Sequence, residues 1–567
     1  MKRWHIYPQA PEDYLNSLAN EHIHPVVAQV LYNRGFVDTP AALGFLGHYL
    51  PDDNPFRLWG MDDAIYRIRT AVRNAERIAV YGDFDCDGVT ATVLLTEVLQ
   101  RVGADVQAYI PNRVDEGYGL NTAALRYLAE DGVDLVITVD CGIRSVEEVA
   151  EANASGLDMI VTDHHSIGPE LPPALAVINP RRAEDNYPEK RLSGVGIAYK
   201  MAQALFMEAQ RRGIRGIDEW RPEDWLDLVA VGTVSDIVSL RGENRDLVQR
   251  GLVNLNRPQR PGLQALYSAA RVRPGSVDAT TIGFVIGPRI NAAGRLRSAM
   301  LAYDLLTAPD IKRAMPLAEE LSALNVERQQ KTRDMQKWAE EHIGGADALM
   351  FAADERFEQG IVGLVASRLT EQYYRPSVVV QIGEEESHGS CRSIPEFHIT
   401  RALEMCDDLL ERYGGHAAAA GFTVRTENLS ALQDRLSEIA DDVLAGRDLQ
   451  ATLHIDAQIP LVETGYELVK ALQQLEPTGE ANRAPLFLTE GVRIHERMRV
   501  GREGRHLKMR FTDDNGAWAD AIAFRRGEQA DSLPDRIYVV YHLELNEWNG
   551  HRRPQLNVQD IHPSEEP

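Results

Sequence analysis

The sequence RIAVYGDFDCDG at residues 77–88 joins an apolar segment to Asp83, Asp85 and Asp87. Its first half predicts a buried parallel strand, and residues 89–95 predict the start of an apolar helix. Three carboxylates in one turn repel each other unless a cation lies among them, and a divalent metal ion is the usual solution. The alternative is an acidic turn that caps the helix, for which one aspartate would be enough. The stretch therefore predicts a strand, a turn and a helix that together carry a metal site.

Two more apolar segments end in polar side chains. Residues 135–139 lead to Asp140, and residues 158–162 lead to Asp163-His164-His165. Asp236 follows a largely apolar helical stretch, and a buried carboxylate there needs a partner. Any one of these could be a helix cap or a satisfied core histidine. Because open α/β sheets place ligands at the carboxyl ends of their strands, the joint occurrence favours one shared metal site.

Length and composition limit the class of protein. A chain of 567 residues is too long for one core, and we expect about three or four domains. We expect no membrane span, because no stretch approaches about 18 consecutive apolar residues. The first residues lack the apolar segment of a signal peptide. The four cysteines form no CxxC pair, which is typical of a reducing cytoplasm, where we expect the protein to work.

The fold class predicted from the pattern is α/β. Strands alternate with helices from about residue 62 to 240, which indicates a parallel sheet covered on both faces. Residues 309–343 predict a long charged helix interrupted at Pro316. The strand-rich segment after residue 450 suggests a small barrel. The predicted domains are a helical lead-in (1–50), a parallel-sheet domain (51–305), a connecting helix (306–345), a smaller α/β domain (346–447) and the barrel (448–567).

The charge distribution bears on nucleic-acid binding. The net charge of −25 repels a polyanion at long range, but residues 493–510 contain seven Lys or Arg against two Glu, with Trp518 nearby. A solvated strand face is the alternative explanation. In so acidic a chain we favour a nucleic-acid groove, and the residues expected to line it are Arg499, Arg502, Arg505 and Lys508.

The motifs resemble those of the DHH phosphoesterase superfamily. The stretches DFDCDG (83–88), VDCG (139–142), DHH (163–165) and SD (235–236) stand in the order of that family. In addition, GGH at residues 414–416 is similar to the signature of the DHHA1 domain. The segment GPRINAAGR (287–295) is typical of its single-strand-specific 5′→3′ DNA exonucleases. The resemblance runs from about residue 50 to the C-terminus. It implies DHH, DHHA1 and OB-fold domains, and an exonuclease that degrades single-stranded DNA to mononucleotides in recombination and repair.

Carboxylates with imidazoles suit two Mn²⁺ or Mg²⁺ ions, which can act together on a phosphodiester. The resemblance implies that Asp140 bridges the two ions. It implies that Asp83 is a ligand or lies just behind the ligands, and that His165 binds the scissile phosphate or assists the leaving oxygen. The other ligands implied are Asp85, Asp87, His164 and Asp236.

Substrate recognition needs fixed donors, for which the planar guanidinium of arginine is well suited. By resemblance, Arg392 and its neighbours hold a terminal phosphate, and Tyr118 is placed to stack on a base. Gly414, Gly415 and His416 are expected to form a flexible loop whose glycines permit close approach of the backbone to phosphate, and His416 is expected to contact substrate rather than metal. For each arginine the alternative is an ordinary surface ion pair. The full predicted set is Arg113, Tyr118, Arg289, Asn291, Ser390, Arg392, Ser393 and His416.

Other functions compete with the exonuclease. A short-oligonucleotide phosphatase or a family II inorganic pyrophosphatase would share the metal core but would not need the last 110 or so residues. A non-catalytic DNA-binding scaffold would not need the complete set of ligands. We expect the partners to be single-stranded DNA, single-strand-binding protein and a RecQ-type helicase, with the chain itself a monomer.

Overall fold

The computed structural model describes residues 2–47, 53–112, 119–213, 219–343, 348–548 and 551–564. The chain forms two compact units. Residues 51–238 and 247–449 form the unit called here the two-lobed unit. Residues 1–50, 239–246 and 450–567 form the barrel unit.

The strands, in chain order, are β1 (Arg3–Ile6), β2 (Arg77–Gly82), β3 (Asp105–Tyr109), β4 (Leu135–Val139), β5 (Asp158–Thr162), β6 (Ala176–Ile178), β7 (Met350–Asp354), β8 (Ser377–Gln381), β9 (Glu386–Arg392), β10 (Leu410–His416), β11 (Ala419–Arg425), β12 (Thr452–Ile455), β13 (Ala457–Gln458), β14 (Phe487–Val500), β15 (His506–Thr512), β16 (Trp518–Ala523), β17 (Arg536–Trp548) and β18 (His551–Pro563).

The helices are α1 (Glu12–Asn20), α2 (Pro25–Asn33), α3 (Thr39–Leu46), α4 (Met61–Asn74), α5 (Cys86–Arg101), α6 (Thr122–Glu130), α7 (Val146–Ala154), α8 (Gly194–Arg211), α9 (Leu226–Ser235), α10 (Gly242–Leu255), α11 (Pro261–Ala270), α12 (Ala279–Thr281), α13 (Gly287–Leu296), α14 (Met300–Leu306), α15 (Ile311–His342), α16 (Gln359–Tyr373), α17 (Ile399–Glu404), α18 (Leu429–Leu444) and α19 (Tyr466–Leu472). A π-helical turn, Ile282–Ile286, joins α12 to α13. Within the described residues, each helix is too short or too polar to cross a membrane.

The first lobe is built on a parallel sheet with the order β3-β2-β4-β5-β6. Its central strand, β4, is buried along its whole length, as expected of a strand with helices on both faces. Helices α4, α5 and α8 lie on one face. Residues of α6 and α7, such as Leu128 and Val149, share a core with the other face. The predicted parallel α/β domain is confirmed.

The second lobe is a mixed sheet with the order β10-β11-β9-β8-β7, in which only β7 and β8 are parallel. Side chains of α15 and α16 pack on one face, and those of α17 and α18 pack on the other. The expectation of a flexible loop at residues 414–416 is wrong. These residues end β10, where Gly415 pairs with Ala420 and has a φ of 146°. A Cβ at Gly415 would lie 2.3 Å from the Ala419 carbonyl oxygen, so close strand pairing explains this glycine.

The long charged helix is continuous, so the predicted interruption at Pro316 is wrong. Helix α15 runs over 32 residues from Ile311 to His342 with Pro316 inside it. It packs against α11, α13 and α14 of the first lobe and against α16 of the second. This packing on both sides stabilises the helix despite the hydrogen bond that proline removes.

The barrel unit contains a closed sheet of β14, β15, β16, β18 and β17, since β14 also pairs with β17. Phe487, Phe511 and Tyr541 are fully buried in its core. The same core includes residues of α1, α2 and α3, such as Leu18 and Leu31. The predicted barrel is confirmed, and the N-terminal helices are part of the same unit rather than a separate lead-in.

Residues 239–246 are fixed to the barrel unit by a buried arginine. The Arg245 guanidinium donates to the carbonyl oxygens of Phe45 (3.3 Å), Gln474 (3.0 Å) and Leu475 (2.9 Å). Burial lowers the pKa of Arg245 to about 10. Three well-separated segments of the chain therefore meet at one cation, which local sequence patterns do not predict.

Candidate metal centre and substrate cleft

The turn between β2 and α5 carries the three predicted aspartates. Asp85 caps α5, and its Oδ1 accepts hydrogen bonds from the backbone of Asp87 (2.9 Å) and Gly88 (3.1 Å). The capping alternative is therefore correct for one oxygen of Asp85, but it leaves Asp83 and Asp87 unexplained. A Cβ at Gly88 would lie 2.4 Å from the Asp83 carbonyl oxygen, so the tight turn requires glycine there.

Asp87 lies in the first turn of α5 and is fully buried against the N-terminus of α8. Its carboxylate accepts hydrogen bonds from the backbone of Gly194 (2.6 Å) and Val195 (2.8 Å). The positive end of a helix dipole stabilises a carboxylate in this position. Burial nevertheless raises the pKa of Asp87 to about 7, and the negative charge of Asp85 contributes. The hydrogen bonds from Gly194 and Val195 therefore do not fully compensate the negative charge at this site.

Asp140, His164 and Asp236 converge on Asp87 from three other elements. The Nε2 atom of His164 lies 3.1 Å from Asp140 Oδ1, 3.4 Å from Asp236 Oδ2 and 4.0 Å from Asp87 Oδ2. Asp140 follows β4 with a φ of 64°, in the left-handed region. Burial, followed by repulsion from neighbouring carboxylates, raises the pKa of both Asp140 and Asp236 well above the ordinary value. The ends of β2, β4 and β5 and the end of helix α9 thus bring these residues together.

The donor set fits divalent cations. Among the described residues, Asp140 Oδ1 and both ring nitrogens of His164 are buried and have no hydrogen-bond partner. Unpartnered buried polar atoms are destabilising, and a cation bound to Asp140 Oδ1 and to one ring nitrogen of His164 would satisfy two of the three. Burial lowers the pKa of His164 to about 3, which keeps the imidazole neutral, as a metal ligand must be. Sets of ligand atoms within 4.8 Å of one another are Asp83/Asp85/Asp140, Asp87/His164/Asp236 and Asp140/His164/His165.

His165 is oriented by Asp163. Its Nδ1 lies 2.7 Å from Asp163 Oδ1, and its Nδ1 is 4.0 Å from Asp140 Oδ1. Burial opposes protonation of His165, but the hydrogen bond and charge of Asp163 outweigh burial and raise its pKa. Asp163 is buried and also accepts from the backbone of Ile143 (3.0 Å). We did not predict this role for Asp163, although its place in the DHH triplet was a signal.

A cleft of about 660 Å³ separates the two lobes beside His165. The first lobe contributes Arg144 and Ser166 to its wall, and the second contributes Ser390, Arg412 and His416. Burial lowers the pKa of His416, and the positive charges of Arg144, Arg181 and His165 lower it further. The cleft therefore has a cationic wall beside His165, whose Nδ1 lies 4.0 Å from Asp140 in the acidic cluster.

Sequence patterns did not identify Arg144, Arg181 and Arg412. Arg144 and Arg181 follow the carboxyl ends of β4 and β6, so their position at that edge of the sheet was the available signal. Arg412 gave no such signal, because its place in the cleft depends on the packing of the two lobes.

The predicted phosphate-binding residues occupy one strand of the second lobe. Ser390 lines the cleft, and the Arg392 guanidinium donates to Ser390 Oγ (3.3 Å) and to the Cys391 carbonyl oxygen (2.8 Å). The Ser393 hydroxyl instead donates to the Phe397 carbonyl oxygen (2.6 Å). Ser390 and Arg392 are thus near the cleft, whereas the Ser393 hydroxyl donates within a local turn.

Helix α13 supports the metal-binding turn. Asn291 Oδ1 accepts from the backbone of Cys86 (2.8 Å), which holds the start of α5. Arg289, two residues earlier, donates to the Val285 carbonyl oxygen (2.7 Å) and to Ser322 Oγ (3.3 Å). The predicted substrate residues Arg113 and Tyr118 lie outside the described residues.

The basic stretch at residues 493–510 lies on β14, β15 and the turn between them. Several of its arginines have acidic partners: Arg493 with Asp514 (3.2 Å), Arg497 with Asp535 (2.9 Å), Arg499 with Asp531, and Arg510 with Asp520 (3.0 Å). Arg502, Arg505 and Lys508 are exposed, and the described residues offer no ion pair to Arg505 or Lys508. The net positive charge is therefore concentrated at the turn.

Three segments of the chain match known protein families. Residues 77–233 match the DHH family, N-terminal domain, and residues 345–442 match the DHHA1 domain. Residues 455–560 match the RecJ OB domain. With the acidic cluster at the carboxyl edge of the parallel sheet, these matches define a DHH-family protein with an added OB domain.

Relatives and solved structures narrow the class. The chain is 38% identical over 574 residues to the single-stranded-DNA-specific exonuclease RecJ of Bacillus subtilis, covering 99% of this chain and 71% of that protein. It is 34% identical to RecJ of Escherichia coli, covering 89% and 91%. A crystal structure of Thermus thermophilus RecJ with Mn²⁺ matches with a TM-score of 0.85 at 32% identity, covering 100% and 80%. The chain belongs to the RecJ family, and the resemblance drawn from its motifs is confirmed.

Proposed function

We propose that this protein is a metal-dependent exonuclease that degrades single-stranded DNA from the 5′ end to mononucleotides, in recombination and DNA repair. The observation that carries the proposal is the buried acidic cluster around Asp140 and His164, whose unpartnered polar atoms a bound cation would satisfy. This cluster borders a cleft with a cationic wall. The named function of the relatives supports the same conclusion.

The cofactors we propose are two Mn²⁺ or Mg²⁺ ions. Carboxylate oxygens with one or two imidazole nitrogens suit these hard-to-borderline cations, and RecJ of Thermus thermophilus has been solved with each. When bound, such ions lower the pKa of water and neutralise charge on a phosphodiester. The residues that would hold them are Asp85, Asp87, Asp140, His164 and Asp236, with Asp83 beside them and Asp140 as the bridge.

The side chains around the ions have separate tasks. Asp163 holds Nδ1 of His165, so that Nε2, the other ring nitrogen, would be available to bind the scissile phosphate or to give a proton to the departing 3′ oxygen. Gly194 and Val195 hold Asp87 in place through their backbone N–H groups. Hydrolysis breaks the bond between phosphorus and that 3′ oxygen, and a water oxygen takes its place.

The second lobe provides the contacts that would select the strand end. Ser390, Arg392 and His416 would bind the terminal 5′ phosphate, with Arg144 and Arg412 on either wall of the cleft. Arg289 would meet phosphates farther along the strand, beside the turn held by Asn291. These charge-assisted contacts fix which end enters the cleft, and so set the direction of digestion.

The finer assignments are also proposals. The exposed charges Arg499, Arg502, Arg505 and Lys508 would bind DNA on the barrel unit, independently of sequence. As partners we propose a RecQ-type helicase, which would expose a single strand for this enzyme, and single-strand-binding protein, which would cover that strand. We propose that the enzyme works as a monomer in the cytoplasm, where its four buried free thiols stay reduced. We propose the remaining domain boundaries near residues 305, 345 and 447, as predicted from the sequence, with residues 1–50 joined to the barrel.

Digestion of one oligonucleotide labelled at either end tests the function. With Mn²⁺, a 5′ label should appear at once as mononucleotide, while a 3′ label should stay on progressively shorter strands. Asp140→Ala should remove nearly all turnover and retain strand binding. Release of both labels at equal rates would refute the direction, and an active Asp140→Ala variant would refute the two-ion site. Turnover of dinucleotides alone would point to a short-oligonucleotide phosphatase instead.

A further inference from the structure

Two exposed apolar side chains lie in segments that pack against each other near Asp236. Phe284 is 79% exposed, the highest value for a large hydrophobic residue among those described. Ile237 is 70% exposed. Isolated exposed apolar residues are common on protein surfaces, so exposure alone means little. Their position and their neighbours distinguish these two.

Both side chains belong to segments that meet beside Asp236. Ile237 directly follows this proposed ligand, and Phe284 lies in the π-helical turn Ile282–Ile286. The turn packs closely against α9, because a Cβ at Gly287 would lie 2.2 Å from Ser235 Oγ. A Cβ at Gly283 would lie 3.9 Å from Val234. The two exposed residues therefore flank one contact at the edge of the metal centre.

The backbone at both positions departs from regular geometry. Ile237 has a φ of 59°, which is rare for a β-branched residue. Phe284 lies in a π-helical segment, a form that is often found at functional sites. An ordinary α-helical continuation would relieve both irregularities. Both irregular backbone conformations thus occur at residues whose apolar side chains face solvent.

The following helix, α13, carries a cation that reaches back to this turn. The Arg289 guanidinium donates to the carbonyl oxygen of Val285, the residue after Phe284, and within the described part of the chain it has no carboxylate partner. Burial lowers the pKa of Arg289 but leaves it charged at neutral pH. An aromatic ring, and an arginine that pairs with no described carboxylate, supply the two kinds of contact by which proteins hold single strands without sequence preference.

We propose that Phe284 and Ile237 form an apolar platform for the nucleobases of the single strand, close to the metal centre, while Arg289 binds the adjoining backbone. The proposal rests on the proposed function and extends it to how bases are held. Stacking on Phe284 would keep successive bases unpaired, and Ile237 would support the base nearest Asp236. Every base has an aromatic face, so the platform would not select sequence.

The test combines a protein variant with a modified strand. Binding is measured by fluorescence anisotropy in EDTA, and kcat and KM are measured with Mn²⁺. The probes are a thymine oligonucleotide and the same strand with consecutive abasic positions near its 5′ end. The variants are Phe284→Ala and the ring-retaining Phe284→Tyr. The control is Tyr127→Ala, which removes a 57% exposed ring from α6. Circular dichroism checks that each variant folds.

Wild-type enzyme should prefer the complete strand over the abasic one by about tenfold, the scale that stacking of one base provides. Phe284→Ala should lose most of that preference and raise KM more than it lowers kcat. Phe284→Tyr and Tyr127→Ala should keep the preference. If Phe284→Ala retains the wild-type preference for the complete strand, the platform is refuted. This is the result expected if Phe284 instead belongs to a surface that docks another protein. If wild-type enzyme neither binds nor digests the complete strand, the proposed function itself fails.

Discussion

Replacing Gly194 with alanine should displace Asp140 and so disturb the metal centre from a neighbouring element. Gly194 begins α8, and its backbone N–H donates to Asp87 (2.6 Å). A Cβ at this position would lie 2.5 Å from Asp140 Cβ and 2.6 Å from Asp140 Oδ1. Ordinary van der Waals contact begins near 3.4 Å, so Asp140 or α8 must move by about 1 Å.

The expected loss has two parts. Alanine favours the helix over glycine by up to about 1 kcal/mol, whereas overpacking a buried site destabilises by about 1–3 kcal/mol. The net change in the free energy of unfolding should therefore be a loss of roughly 1–2 kcal/mol. A displacement of about 1 Å in a catalytic group can reduce turnover about a hundredfold. Activity should therefore fall much more than stability.

The assay compares kcat/KM on a 5′-labelled strand, the affinity for Mn²⁺ and unfolding by urea. The control is Gly44→Ala in α3, where a Cβ meets nothing within 4 Å and should raise stability slightly. If Gly194→Ala binds Mn²⁺ and digests DNA as wild type does, the close packing of α8 on Asp140 is not what positions this carboxylate.

Three further outcomes are expected. Without metal, stability should fall as pH rises from about 5 to 8, because burial raises the pKa of Asp87 to about 7 and the folded state keeps a proton that the unfolded chain has already lost; the fall should end once Asp87 is ionised in both states. Mn²⁺ should reduce the fall, and equal melting temperatures at about pH 5 and about pH 8 in EDTA would contradict this. Arg392→Ala should impair digestion of 5′-phosphorylated strands more than of 5′-hydroxyl strands, whereas equal loss would mean that Arg392 serves the fold. Glutamine in place of four residues of the barrel unit should reduce the slope of the salt dependence of binding by roughly 0.7 per lost phosphate contact. The four residues are Arg499, Arg502, Arg505 and Lys508. An unchanged slope in the folded variant would mean that the DNA binds elsewhere.

Local patterns in the sequence predicted the metal centre well. Apolar runs of five or six residues identify buried strands, and polar residues that end such strands must meet at one edge of a parallel sheet. Local periodicity alone therefore predicts that Asp87, Asp140 and His164 lie close together. The barrel was also predicted from its short strands, because strand alternation is local in sequence.

Tertiary structure decided what depends on contacts between distant segments. The Asp163–His165 pair, the clash that requires Gly194, and the cleft position of Arg412 follow from the packing of separate elements. Residues 414–416 form a strand because β11 supplies their hydrogen bonds, whereas their glycines alone suggested a loop. The N-terminal helices share a core with a barrel more than 400 residues later in the chain. The sequence by itself determined which carboxylates and imidazoles lie at the edge of the parallel sheet, because local periodicity identifies the strands and their ends. Only the tertiary structure decided which residues orient and surround these side chains, because no local periodicity encodes packing between distant segments.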